Sequence, residues 1–209
     1  MVNQKREQKS TQESILRSAE EEFIKYGYDA AKTVRIAAAA GVTHAMLHYY
    51  FGTKKNLFNK VFEEKIRLLG QSLSLPLVKR ELPLCEKIRM LIEAHFDFIA
   101  ANPELPRFII NELTCDPERM QWFKERMKHI ASPLLEQIQE VADRAAERGE
   151  IRKVDIFDIM IDMVSLNIFP FLAMPIIKSI KGDVTDDTDK FILSRRRENV
   201  EIILERIKP

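Results

Sequence analysis

Apolar residues recur at helical spacing along most of the chain. Ile15, Leu16, Ala19, Phe23 and Ile24 make one stripe. Leu57, Phe58, Val61, Phe62, Ile66 and Leu69 make a second, and Val200, Ile203, Leu204 and Ile207 a third. That period belongs to helices buried on one side, and no alternating strand pattern stands out. The punctuation fits the same reading. Ser10-Thr11-Gln12-Glu13 has the form of a capping box, and Gly27 closes the helix that follows. Thr33 is expected to cap a short helix carrying Ile36, Ala37 and Ala40. Gly41 and Val42 make a turn, Thr43 caps a helix over 43–50, and Thr53 caps a fourth.

Pro76 and Pro83 predict a break within 71–83, though the fourth helix could reach Leu75. Helices are then expected over about 85–101 and 104–114. Asp116-Pro117 starts another, because aspartate caps and proline suits the first helical position. Ser132-Pro133 restarts or kinks it before it runs to Gly149. An apolar helix opens at Asp155 and breaks near Pro170 and Pro175. Residues 182–189 read as an acidic loop, and a last helix runs from about 189 to 207. The expectation is an all-α chain. A polar, basic and flexible arm (1–9) precedes a three-helix, helix-turn-helix domain (10–55). A larger helical regulatory and dimerisation domain (56–209) follows.

Composition narrows the function classes. Six glycines in 209 residues argue against a turn-rich β chain. Cys85 and Cys115 stand alone, without metal-ligand spacing, and fit a reducing cytosol. Residues 1–14 lack the apolar run of a signal peptide. The most apolar stretch, 156–177, carries Asp158 and Asp162, which are costly at membrane depth. A cytoplasmic protein is expected, with no membrane span, metal or cofactor. The net charge of +1 hides an asymmetry. Residues 1–67 hold 12 Lys+Arg against 8 Asp+Glu, and residues 68–209 hold 21 against 24. A basic front and an acidic rear suit a front that meets a polyanion. No nucleophile elbow, phosphate-binding loop, dinucleotide fingerprint or H-E-x-x-H motif is present, and the four histidines are scattered. An enzyme is not expected.

Residues 33–57 (TVRIAAAAGVTHAMLHYYFGTKKNL) carry the informative constellation. Two short helices joined by a tight glycine-containing turn form a helix-turn-helix. Its second helix must lie in the major groove. Gly41 supplies a residue free to take positive φ. Ile36, Ala40, Val42 and Leu47 form the small core that fixes the angle. Thr43 and Thr53 can bond phosphates at helix N-termini. His44 and His48 are donors on the recognition helix, Tyr49 and Tyr50 offer hydroxyls and ring faces, and Lys54 and Lys55 neutralise phosphate. The set expected to meet DNA is Thr33, Thr43, His44, Ala45, His48, Tyr49, Tyr50, Thr53 and Lys54. Lys5, Arg6 and Lys9 of the arm are candidates for the minor groove.

Gly27, Ile36-Ala37, Ala40-Gly41-Val42-Thr43, and Leu47 followed by Tyr49-Tyr50-Phe51, Lys54 and Leu57-Phe58 resemble the DNA-binding domain of TetR-family regulators over about residues 10–58. The family often has Leu-Tyr-aromatic-His-Phe in the recognition helix. Here Leu47-His48-Tyr49-Tyr50-Phe51 exchanges the tyrosine and histidine positions. The resemblance implies a homodimer on a palindromic operator in double-stranded DNA. It also implies a four-helix interface from the two C-terminal helices and an inducer that moves the DNA heads apart. A ligand-responsive repressor is expected. A ligand-independent regulator or activator, and a helical protein-interaction module without DNA binding, stay open.

The rear is rich in Phe and Met. A small apolar or amphipathic effector is expected among Phe96, Phe108, Trp122, Phe123 and Phe171, with His95, Asn111, Glu112 and Asn167 as the few placed polar groups of such a pocket.

Overall fold

The computed structural model describes residues 2–78, 82–181 and 187–209; burial and side-chain contacts are further left aside for 2–7, 75–78, 130 and 181. Helices are the only regular element among the described residues: α1 (Val2–Ala30), α2 (Thr33–Ala39), α3 (His44–Phe51), α4 (Lys54–Val78), α5 (Leu84–Ala101), α6 (Leu105–Cys115), α7 (Pro117–Glu147), α8 (Ile156–Leu172), α9 (Met174–Lys181) and α10 (Thr188–Ile207). The chain divides into two compact units, residues 1–70 and 71–209.

The first unit is built on the two stripes read from the sequence. Ile15, Ala19 and Phe23 of α1 are buried, as are Ile36 and Ala37 of α2, Leu47 of α3, and Leu57, Phe58, Val61 and Phe62 of α4. Phe58 meets Phe23 edge-on at 5.2 Å and Tyr28 at 5.0 Å. This is why the unit ends near residue 70 and not near 55: the first half of α4 is part of its core. Gly27 has φ 72 and ψ 168, so the regular part of α1 ends there, as expected. Glu22 ties α1 to α2. Its carboxylate accepts from the Lys32 amide at 2.9 Å and from Arg35 Nε at 2.7 Å. Burial pushes its pKa up, but Arg35 and the amide outweigh that and hold it below the usual value.

One local expectation fails. The backbone is already helical from Val2, so residues 2–9 join α1, and Ser10 lies inside that helix instead of capping it. The minor-groove candidates Lys5 and Arg6 fall among the residues whose side chains are not described. α4 runs three residues beyond Leu75, past Pro76 to Val78, and α5 starts at Leu84, so the helices part within 71–83 as expected; residues 79–81 lie outside the described chain.

In the second unit, α5, α8 and α10 pack together. Ile88 and Ile92 of α5, Ala142 and Ala145 of α7, Ile156 and Ile159 of α8, and Val200, Ile203 and Ile207 of α10 form its core. Asp116 caps α7 by accepting from the Glu118 and Arg119 amides. Pro133 does not interrupt that helix, which continues to Glu147. The break expected near Pro170 and Pro175 falls at Ala173, where α8 and α9 meet at a bend of 65°. Pro175 sits in the first turn of α9, where its missing N–H is not needed. Asp187 caps α10 through the Lys190 amide. Residues 182–186 of the expected acidic loop are outside the described chain. No single described helix is long and apolar enough to cross a membrane, although α8 and part of α9 pass that test as a bent pair.

A polar chain crosses this core. Arg195 donates to Asn199 Oδ1 (2.7 Å), and Asn199 Nδ2 donates to Asn167 Oδ1 (2.9 Å). Asn167 Nδ2 donates to the Ile92 carbonyl (2.9 Å) and to His95 Nδ1 (3.1 Å). An amide nitrogen only donates, so His95 Nδ1 accepts and the imidazole is neutral. Burial lowers the His95 pKa from 6.5 to about 4. The unfolded chain therefore binds the proton first. Stability should be full above pH 6.5 and fall as pH drops toward about 4. His95→Gln keeps an acceptor for Asn167 and removes the titration. Urea unfolding at about pH 7 and pH 5 should show the parent losing about 2 kcal/mol more than the variant. Equal losses would mean that His95 does not stay neutral in the fold.

Candidate nucleic-acid interface

The angle between α2 and α3 is set by a turn whose hydrogen bonds are all local. Gly41 takes φ 70. Its amide donates to the Ala38 carbonyl at 3.1 Å, and the Val42 amide to the Ala37 carbonyl at 3.0 Å. This is the Schellman pairing that closes a helix on a left-handed residue. Thr43 then starts α3, its hydroxyl accepting from the Met46 amide at 3.2 Å. Thr53 does the same for α4 through the Asn56 amide at 3.1 Å. A hydroxyl that accepts at a cap keeps its proton for a phosphate oxygen.

Only Leu47 of α3 is buried. His44, Ala45, Met46, His48 and Tyr49 are exposed, Tyr49 to 79%, while Tyr50 is half-buried with its ring edge-on to Tyr49 at 5.3 Å. The helix thus leaves five of its eight residues exposed, with Leu47 as its one fully buried anchor. Lys54, half-buried, donates from Nζ to the Asp29 carbonyl at 3.1 Å and lies 4.7 Å from the centre of the Tyr28 ring. Thr33 is not the cap of α2: Lys32 holds that position with no side-chain bond, and Thr33 is the first residue of the helix. Its Oγ1 instead lies 2.9 Å from His44 Nε2. Sequence reasoning missed a direct contact. His44 and His48 touch, Nε2 to Nε2 at 3.2 Å. Their i, i+4 spacing, which puts two residues on one helical face, was the signal for it.

The nine effector candidates do not converge in the same way. His95 and Asn167 are bonded, and Phe96 lies 5.5 Å from Phe171, so these four share one region of the core. Phe108 and Glu112 are buried on α6, but the Glu112 carboxylate meets Arg119 at 3.5 Å. Asn111 is exposed, and Trp122 and Phe123 are half-buried on α7. An apolar groove of about 750 Å³ lies elsewhere in this unit. It is lined by residues of α6, α8, α9 and α10, among them Ile110, Phe169, Ile177 and Phe191, with Ser165 and Arg195 as its polar members. None of the nine candidates lines it.

A tight glycine turn, a recognition helix anchored by one leucine, and capped N-termini on both sides define a helix-turn-helix DNA-binding protein. Residues 15–61 match the family described as bacterial regulatory proteins, tetR family. Residues 85–203 match the tetracyclin repressor-like C-terminal domain. The chain belongs to the TetR family of transcription regulators. It is 30% identical over 127 residues to the HTH-type transcriptional repressor SCO4008 of Streptomyces coelicolor, a match covering 60% of this chain and 62% of that protein. It is 26% identical over 149 residues to the HTH-type transcriptional activator FasR of Mycolicibacterium smegmatis, covering 71% and 68%. The fold is similar to the fatty acid degradation regulator FadR of Bacillus halodurans, with TM-score 0.67 and 20% identity over 92% of this chain and 97% of that one. At that identity the likeness is one of fold.

Tyr49 separates interface from stability. Tyr49→Ala removes a ring that is almost free of the core, so thermal unfolding should stay within about 0.5 kcal/mol of the parent. Affinity for a bound duplex, measured by fluorescence anisotropy, should fall at least severalfold. Unchanged affinity would remove Tyr49 from the interface.

Proposed function

We propose that the protein is a ligand-responsive transcriptional repressor that binds a palindromic operator as a homodimer. The observation that carries the reading is the face of α3 on which His44, Ala45, His48 and Tyr49 are all exposed. In this reading Thr43, Thr53 and Lys54 hold phosphates, and the α3 face meets base edges. Lys54 has three N–H donors and gives one to the Asp29 carbonyl, which leaves capacity for a phosphate oxygen.

Dimerisation is supported by a second exposed face. Phe157, Ile161 and Phe169 are exposed on α8, Phe169 to 64%, and Leu193 and Ile202 are exposed on α10. Apolar residues in that number call for cover. The same two helices from a second copy would supply it as a four-helix interface. The groove beside Phe169 suits an apolar or amphipathic effector, with Arg195 and Ser165 for its polar end. An effector acts by binding one of two states more tightly, and that difference sets the extent of induction. The relative SCO4008 is named a repressor, and we take the same sign here. The reading is of a cytoplasmic protein with no catalytic step.

Selection of bound fragments from sheared genomic DNA by the purified protein tests the whole reading. An enriched inverted repeat is expected, and no enrichment at low salt from a folded dimer would reject it. Lys54→Ala should weaken binding to all sequences alike and lower the salt slope by ~1, read from titrations at several salt concentrations. Phe169→Glu puts a charge into the proposed interface. Sedimentation should then report a monomer with operator affinity reduced by at least tenfold; a stable dimer would place the interface elsewhere.

A further inference from the structure

His48 Nδ1 lies 2.5 Å from the Gly52 carbonyl, which can only accept, so Nδ1 carries a proton. The Nε2 atoms of His48 and His44 are 3.2 Å apart, a distance that needs one proton between them. A neutral pair of imidazoles has two ring protons in all, and both are now assigned. His44 Nδ1 is therefore bare. A third proton has one nitrogen left to go to, His44 Nδ1, whichever ring carries the formal charge. Thr33 Oγ1, 2.9 Å from His44 Nε2, serves both states, because its hydroxyl can accept or donate.

Among the described residues of α2, α3 and the first two turns of α4, no carboxylate is present to compete for the pair. α2 carries one charged side chain, Arg35, which is held by Glu22 of α1, and Lys32 precedes it. α3 itself adds Tyr49 and Tyr50. α4 opens with Lys54 and Lys55, and its first carboxylate is Glu63. Of the cations, Lys54 is turned to the Asp29 carbonyl.

We propose that His44 and His48 act as one unit whose proton count sets the base edge read by α3, with His44 Nδ1 as the reading atom. This rests on the DNA-binding reading above. His44 is the first residue of α3, and the N-terminal residues of a recognition helix are those that reach base edges. The neutral pair presents an acceptor, which fits the amino group of adenine or cytosine. The singly protonated pair presents a donor, which fits N7 or O6 of guanine, N7 of adenine or O4 of thymine, but not the amino group of cytosine.

Selection of duplexes from a randomised library by the full-length protein, at about pH 8 and about pH 6, tests this. At one position of each half-site, adenine or cytosine should dominate at the higher pH, and guanine should gain on cytosine roughly three- to tenfold at the lower. His44→Ala should erase the preference there at both pH values and leave the rest of the motif. His48→Phe keeps His44 but frees its tautomer, so guanine should already be accepted at the higher pH. Nitrogen-15 spectra of the free protein give a readout without DNA: in the neutral pair, His44 Nδ1 should show the shift of a bare nitrogen. A protonated Nδ1 there, or a motif in which no position depends on His44 or on pH, would overturn the proposal while leaving DNA binding intact. Failure to enrich any sequence would instead reject DNA binding and the proposal with it.

Discussion

The interface depends on a single buried side chain. Leu47 is the only fully buried residue of α3, and α3 packs on α2, where Ile36 and Ala37 are buried. A helix of eight residues has no stability of its own. Its direction is borrowed from that anchor and from the Gly41 turn, whose two hydrogen bonds leave little freedom between the helices. The consequence is economical. With one side spent on the core, the remaining faces of α3 are open to carry chemistry, and no charged lysine or arginine is needed among them.

The helices were legible because their periodicity is strong and their ends carry specific chemistry. Thr43, Thr53 and Asp116 accept from the amides expected of cap residues, and Gly27 and Gly41 take positive φ. The miss at α1 has a local cause. Ser10-x-x-Glu13 is a local signal, and it lies in a stretch that continues as helix. A capping box stabilises an end but does not prevent a helix from running through it. Thr33 shows the competing effect from the other side: its hydroxyl has a histidine within reach on the next helix, so it serves tertiary structure instead of its own cap.

The effector candidates were the least legible part, because apolar residues at helical spacing look the same whether they line a cavity or fill a core. His95 and Asn167 were singled out as polar residues among apolar neighbours, and the two are bonded. Their setting explains why they are tolerated. Each amide proton and carbonyl of Asn167 and Asn199 has a fixed partner, running from Arg195 on α10 to Ile92 and His95 on α5. A fully satisfied chain of this kind costs little in burial and fixes the relative register of the three helices, since sliding any one of them would strand a buried polar group.

Affinity and selectivity draw on different groups in this protein. Attraction to phosphate comes from lysines and from amides at helix N-termini, and it is indifferent to sequence. Those groups flank α3: Lys32 before α2, Thr43 at the start of α3, Thr53, Lys54 and Lys55 at the start of α4. The face of α3 holds neutral donors, acceptors and rings, which do little at long range and much at contact. Added salt should therefore weaken all complexes together, whereas a proton on the histidine pair changes one contact and leaves the flanking cations as they were. The two responses are separable because the fold keeps the two sets of groups on different elements.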